Sequence, residues 1–352
     1  MAKIYGHSNF AGPREELKRA LENPTRGRFI FVIGPSGVGK TTVRHALVRS
    51  MFANCALWGA GRIPYIEVFA LLDQNAYFNS KSFAESLMYQ LVKPSVKWLR
   101  DADDLCNPAY LTVDAEVRRA CAGLRNVPLP NIPEPKLWSQ FRQFADERDL
   151  WLAAIDQAHA MCTNHRDKSP ADHILNLMSI LEQDTLNILL SGVHSTANLW
   201  IDRPEVRVRS TVIWMPPYSH DRKQDRDPFL KLLRTLGEGY TFSKPTLLYT
   251  MAAELMAASG GIFGVLKKIL LDAKSRAESA GRLTITKADI TNSYYGEVDY
   301  KKMWGDVRFF EEVMRSANTK DVRVAVSDSW GLREKPKPEK APSSESSVSK
   351  EA

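Results

Sequence analysis

Residues 34–41 read GPSGVGKT, a G-x-x-x-x-G-K-T spacing whose residue types can hold a triphosphate. Glycines put no Cβ in the way, so backbone N–H groups can converge on phosphate oxygens, and a helix starting there adds the positive end of its dipole. Gly34, Pro35, Ser36, Gly37, Val38 and Gly39 would form the cradle, with Thr42 closing the nucleotide-binding set. Lys40 would reach the β and γ phosphates as a point charge, and the Thr41 hydroxyl would complete a Mg2+ shell. ATP and Mg2+ are the expected cofactors. A glycine-rich turn could match this spacing by chance, but the flanks are those the chemistry requires. Residues 28–33, RFIFVI, read as a short buried strand, and residues 42–51, TVRHALVRSM, as a helix.

A second constellation lies at residues 149–159, DLWLAAIDQAH, an apolar strand ending in a carboxylate. Beside a phosphate-loop strand, Asp156 would order the Mg2+ water shell. The next position usually holds a Glu that activates the attacking water, and here it is Gln157. An amide has nearly the shape of a carboxylate but accepts no proton, so a base contribution of about 10²–10⁴-fold should be missing there. The expectation is ATP binding with slow or switched-off hydrolysis. Alternatively, Gln157 orients the water, or His159 or another carboxylate supplies the base.

Charge supplies the other candidates. Within residues 203–217, Arg203, Arg207 and Arg209 lie just before another strand. Arg207 or Arg209 could reach a neighbouring subunit's γ-phosphate and stabilise developing charge there; a solvated cationic edge is the plain alternative. Lys81, Lys267 and Lys268 are candidate contacts to a nucleic-acid backbone, each weighed against a solvated face. Phe10 is a candidate adenine cover or, equally, a staple of its own helix.

The elements that must position these groups follow in order. Residues 8–22 read as a loop entering an amphipathic helix, with Pro13 near its first turn. Residues 63–69 make a second strand, followed by a polar loop at 73–81 and a helix to about residue 90. Residues 93–136 carry Pro94, Pro108, Pro128, Pro130, Pro133 and Pro135 and read as an irregular insertion, within which 114–125 can make a helix. Residues 172–184 form an amphipathic helix, and residues 187–194, NILLSGVH, a strand stopping where a γ-phosphate sensor would sit, with Ser191 and His194 as candidates. After Pro217 the pattern turns helical, at 227–236, 244–259 and 262–280, with Thr286 as N-cap of one more helix.

The fold class is therefore α/β. A phosphate-loop core with a parallel sheet occupies 1–218 (insertion about 93–136), followed by a small helical lid at 219–295. A docking or packing segment spans 296–331, and a disordered tail 332–352. Net charge of +7 leans towards a polyanionic partner without proving one. The 4 cysteines show no metal or disulfide spacing, and the first residues form no apolar leader. A cytoplasmic protein that touches no membrane is expected.

The order phosphate loop, Asp-ended strand, sensor strand, arginine-led strand and helical lid resembles an AAA+ ATPase. More narrowly, three segments are similar to the TniB and TnsC regulators of DNA transposition, related in role to the Mu B protein. These are the strand at 63–68 with its long loop, Arg207 to Arg209 leading into WMPPY at 214–218, and SGGIFGVLKKIL at 259–270 continuing to GRLTI at 281–285. The resemblance covers roughly residues 8–295. It implies a homo-oligomer, a ring or helical filament, with ATP between subunits on double-stranded DNA. It also implies a transposase and a targeting factor as partners, with Asp156 as the Walker B aspartate and Arg207 or Arg209 as the finger. Two positions depart from the pattern: Gln157, and Gly264 with Lys267 and Lys268 where many AAA+ proteins carry a sensor arginine. A nucleotide-gated signalling or defence switch acting on protein is the competing reading. An initiator or helicase loader is a third, against which the segment after the lid shows no helix-turn-helix signature.

Overall fold

The computed structural model describes residues 8–23, 26–74, 76–100, 107–122, 132–163, 170–182, 186–201, 203–219 and 221–314. Residues Met1–Val313 form one compact unit, and Met314–Ala352 separate from it. Of the second unit only Met314 is among the described residues, so the tail expected at 332–352 lies outside them.

Among the described residues, five strands make one sheet: β1 (Phe29–Ile33), β2 (Tyr65–Phe69), β3 (Leu152–Asp156), β4 (Asn187–Gly192) and β5 (Ser210–Trp214). Their order is β2-β3-β4-β1-β5, and every pairing is parallel. β1, β3 and β4 are buried at every residue, which explains their unbroken apolar runs: helices cover both faces of such a sheet. α1 (Ser8–Glu22) precedes β1, and the crossovers come from α2 (Lys40–Phe52), α3 (Ser80–Val92), α4 (Pro108–Ala120), α5 (Glu134–Glu147), α6 (Pro170–Leu181) and α7 (Pro204–Val208). The register brings Phe69 opposite Asp156, so the ends of β2 and β3 meet at one edge.

Two expectations change. The loop foreseen before Pro13 is helical from Ser8, and Pro13 sits inside α1. The stretch 93–136, read as irregular, contains α4 and the start of α5; Asn107 caps α4 through the Ala109 N–H, and Val113 and Val117 anchor it in the core. Pro108 opens α4, and Pro133 and Pro135 sit at the start of α5, where a missing N–H costs nothing.

After β5 come α8 (Lys223–Gly237), α9 (Leu247–Thr250), α10 (Ala252–Ala258), α11 (Phe263–Ser279) and α12 (Lys287–Thr291). They share an apolar cluster built on Phe229, Leu233, Leu255, Leu266, Ile269 and Ile290. Thr286 caps α12 as foreseen, in a reciprocal pair with Asp289. Last comes α13 (Glu297–Met314), with Met303 and Val307 packed on Ile262 and with rings meeting His194 and Trp214. No helix among the described residues is long and apolar enough to cross a membrane.

Candidate functional site

The phosphate loop runs from the end of β1 into α2, and its shape depends on glycine. Gly37 and Gly39 have φ of 82° and 104°, the left-handed region that glycine enters without a Cβ penalty. A Cβ on Gly34 would lie 2.6 Å from the Met215 carbonyl, and one on Gly39 would lie 2.3 Å from the Phe10 ring. Phe10 thus rests against the loop, in a place compatible with either role foreseen for it. Ser36 and Gly37 are exposed. The Lys40 ammonium donates to the Gly34 and Pro35 carbonyls at 2.8 and 2.9 Å. Burial, opposed by Asp156, lowers the Lys40 pKa to about 8, so a polyphosphate would restore a charge this lysine holds at some cost.

Thr41 and Asp156, 115 residues apart in sequence, meet: the hydroxyl donates to Asp156 Oδ2 at 3.0 Å. The other carboxylate oxygen accepts from the Gln157 N–H at 2.9 Å. Burial raises the Asp156 pKa, but Arg44 and these donors outweigh it, and the net shift is downward. A hydroxyl and an ionised carboxylate against a glycine cradle are the hard oxygen donors that Mg2+ prefers. The residues present therefore fit ATP and its metal.

Gln157 is exposed, with φ of 56°. A non-glycine residue held there stores strain, a feature that concentrates at functional sites. His159, two residues on, has a buried Nδ1 without a hydrogen-bond partner. Burial, then Lys40, lowers its pKa, leaving a neutral imidazole.

A family model described as AAA domain matches residues 23–199, just over half of the chain. The chain belongs to the AAA family. Among solved structures, the AAA fold here is similar to the Walker-type ATPase paby2304 of Pyrococcus abyssi, with TM-score 0.51 and 13% identity over 86% of this chain and 75% of that one. The Aeropyrum pernix ORC2 protein, in ADPNP-ADP complexes, gives TM-score 0.48 at 16% identity over 81% of this chain, which spans 66% of that one. Drosophila ORC bound to DNA gives 0.44 at 16% identity, over 94% and 86% of the two chains. No curated protein matches the chain.

The remaining candidates disperse over this AAA core. Arg207, in the last turn of α7, and Arg209, just after it, are exposed ahead of the start of β5, whereas the phosphate loop leaves the far end of the parallel neighbour β1. Lys81 lies in the first turn of α3 with Glu85 in reach at 3.9 Å. Lys267 and Lys268 are exposed on α11, and Lys268 pairs with Asp272. In place of a sensor arginine, Gly264 at the start of α11 donates its N–H to the Gly37 carbonyl at 2.9 Å. A cleft of about 570 Å³ lies beside this contact, lined by Ser36, Val265, Tyr295, Asp299, Lys302 and Asp306 among others.

Ser191, a candidate phosphate sensor, is fully buried and accepts from Arg44 at 3.2 Å. Sequence reading passed over Arg44 and Glu67. Arg44 Nη2 lies 2.5 Å from Glu67 and 3.0 Å from Asp156, and the side chain is wholly buried. The available signal was an arginine on the face of α2 that Val43, Leu47 and Val48 bury, and a glutamate inside an apolar strand.

Proposed function

We propose that this AAA protein is an ATP-dependent, DNA-binding regulator of transposition that oligomerises on duplex DNA and recruits or activates a transposase at the target. One observation carries the oligomeric part: Arg207 and Arg209 stand exposed at the opposite end of the strands from their own phosphate loop. A finger placed there serves a second copy. Such a head-to-tail contact repeats into a ring or, if it does not close, a helix, and a helix can follow the phosphates of a duplex without reading bases. The transposition part rests on the three segments similar to the TniB and TnsC regulators.

In this reading Gly34 to Thr42 hold the nucleotide, and Thr41 with Asp156 hold Mg2+. Bound Mg2+ would neutralise phosphate charge. Lys40 exchanges its loop carbonyls for phosphate oxygens, and residues 219–295 act as a lid whose first contact with the loop runs through Gly264. Lys81, Lys267 and Lys268 line up phosphates of the duplex. Gln157 keeps turnover slow, so ATP serves as a binding signal between protomers.

The test is binding of a random-sequence duplex at fixed moderate salt, with and without ATP, for wild type and Lys40→Ala. Tight, cooperative binding that needs both ATP and Lys40 is expected. Absence of binding in both nucleotide states would overturn the reading in favour of a nucleotide-gated switch that engages protein, which the exposed amide at Gln157 also suits.

A further inference from the structure

Position 44 lies on the buried face of α2. Its neighbours on α2, Val43, Leu47 and Val48, are buried apolar residues, and a leucine would pack there without the penalty of desolvating an ion. Arg44 is nevertheless 0% exposed, and its Nε has no hydrogen-bond partner. What it gains is contact with three strands at once: Glu67 on β2, Asp156 on β3 and Ser191 on β4. Glu67 is further held by His45 Nε2 at 3.0 Å and by the Tyr65 hydroxyl at 3.3 Å. The oxygen that Arg44 touches on Asp156 is Oδ2, the same atom that accepts from Thr41.

We propose that Arg44 is a positioning residue that supplies a resident positive charge to the Walker B carboxylate, with Glu67 setting how much of that charge Asp156 feels. This deepens the proposed function and rests on its reading that Thr41 and Asp156 hold the divalent ion of bound ATP. Two cations sharing one carboxylate oppose each other, so Arg44 weakens the grip of Asp156 on the divalent ion. Glu67 draws on the same guanidinium and relieves that opposition. The nucleotide itself keeps its cradle and Lys40, so its binding should depend less on metal than a bare Walker B carboxylate would allow. Charges this close in a partly dry site are screened by salt much less than exposed ones.

Two substitutions should therefore move metal affinity in opposite directions. The probe is Mn2+, whose binding to the full-length protein saturated with a non-hydrolysable ATP analogue is read by electron paramagnetic resonance. Fluorescent-ATP affinity in EDTA is measured alongside it. Arg44→Gln should tighten Mn2+ about tenfold, and Glu67→Gln should weaken it by a similar factor, as expected for a unit charge change a few ångströms away. Neither should lower ATP affinity in EDTA. If Arg44 only held the strands together, both variants would weaken Mn2+ and ATP alike, and the proposal would fall. Should Arg44→Gln not fold, Glu67→Gln decides alone: weaker Mn2+ with undiminished ATP binding in EDTA upholds the proposal, whereas parallel losses overturn it. Failure of wild type to bind any ATP analogue would instead remove the nucleotide reading beneath it.

Discussion

At the scale of single residues, the site is a set of charges held away from their ordinary solution behaviour. Lys40 has a pKa of about 8 against an ordinary value of 10.5, because burial disfavours its charged form. A lysine depressed in the folded state destabilises that state below the lower value, where it is protonated both folded and unfolded. The folded chain loses the proton first as pH rises, so stability returns between about pH 8 and 10.5. Nucleotide-free Lys40→Met should therefore melt above wild type at pH 7, with the gap closing towards pH 10; a gap independent of pH would contradict the buried charge. Gln157 poses the catalytic question. It sits beside Asp156 with its side chain exposed, so Gln157→Glu should add a carboxylate without disturbing the core. ATP turnover should rise by about 10²–10⁴-fold, and an unchanged rate would place the base elsewhere, with the unpartnered Nδ1 of His159 next in line.

At the scale of elements, the contact between α11 and the phosphate loop is made by two backbones. A Cβ on Gly264 would lie 2.8 Å from the Gly37 carbonyl oxygen and 2.9 Å from its Cα, and neither atom can move aside as a side chain would. Gly264→Ala should cost about 1–3 kcal/mol as overpacking and lower the melting temperature, with weaker ATP binding as the loop shifts. Gly305→Ala, on α13 with nothing near its Cβ, is the control and should gain up to about 1 kcal/mol from helix propensity. Equal effects of the two substitutions on ATP affinity would rule out a role for the α11 contact. The same helix-level view explains α4. Its N-cap Asn107 and Pro108 are start signals, but the six prolines between residues 94 and 135 masked them when read as one broken stretch.

At the scale of the whole molecule, one copy cannot bring Arg207 or Arg209 to its own phosphate loop, because parallel strands put their starts and ends at opposite edges of the sheet. An Arg207→Ala, Arg209→Ala double variant should bind ATP as wild type does and fail to assemble. Turnover measured in the Gln157→Glu background should drop by about 10³–10⁵-fold. Mixing it with Lys40→Ala protomers, which keep the arginines, should restore part of both, and a mixture as inactive as its components would refute fingers acting in trans. The sequence by itself determined the phosphate loop, the strands that flank it, Asp156 and the departure at Gln157. Each of these is written in a contiguous stretch, where spacing along the chain fixes geometry at a turn or a strand end. Only the tertiary structure decided that Arg44 and Glu67 join the Walker B carboxylate, that Ser191 faces that cluster, and that Gly264 lies on Gly37. Those contacts link residues 23 to 227 positions apart, and sheet order and helix docking, which no local pattern encodes, bring them together.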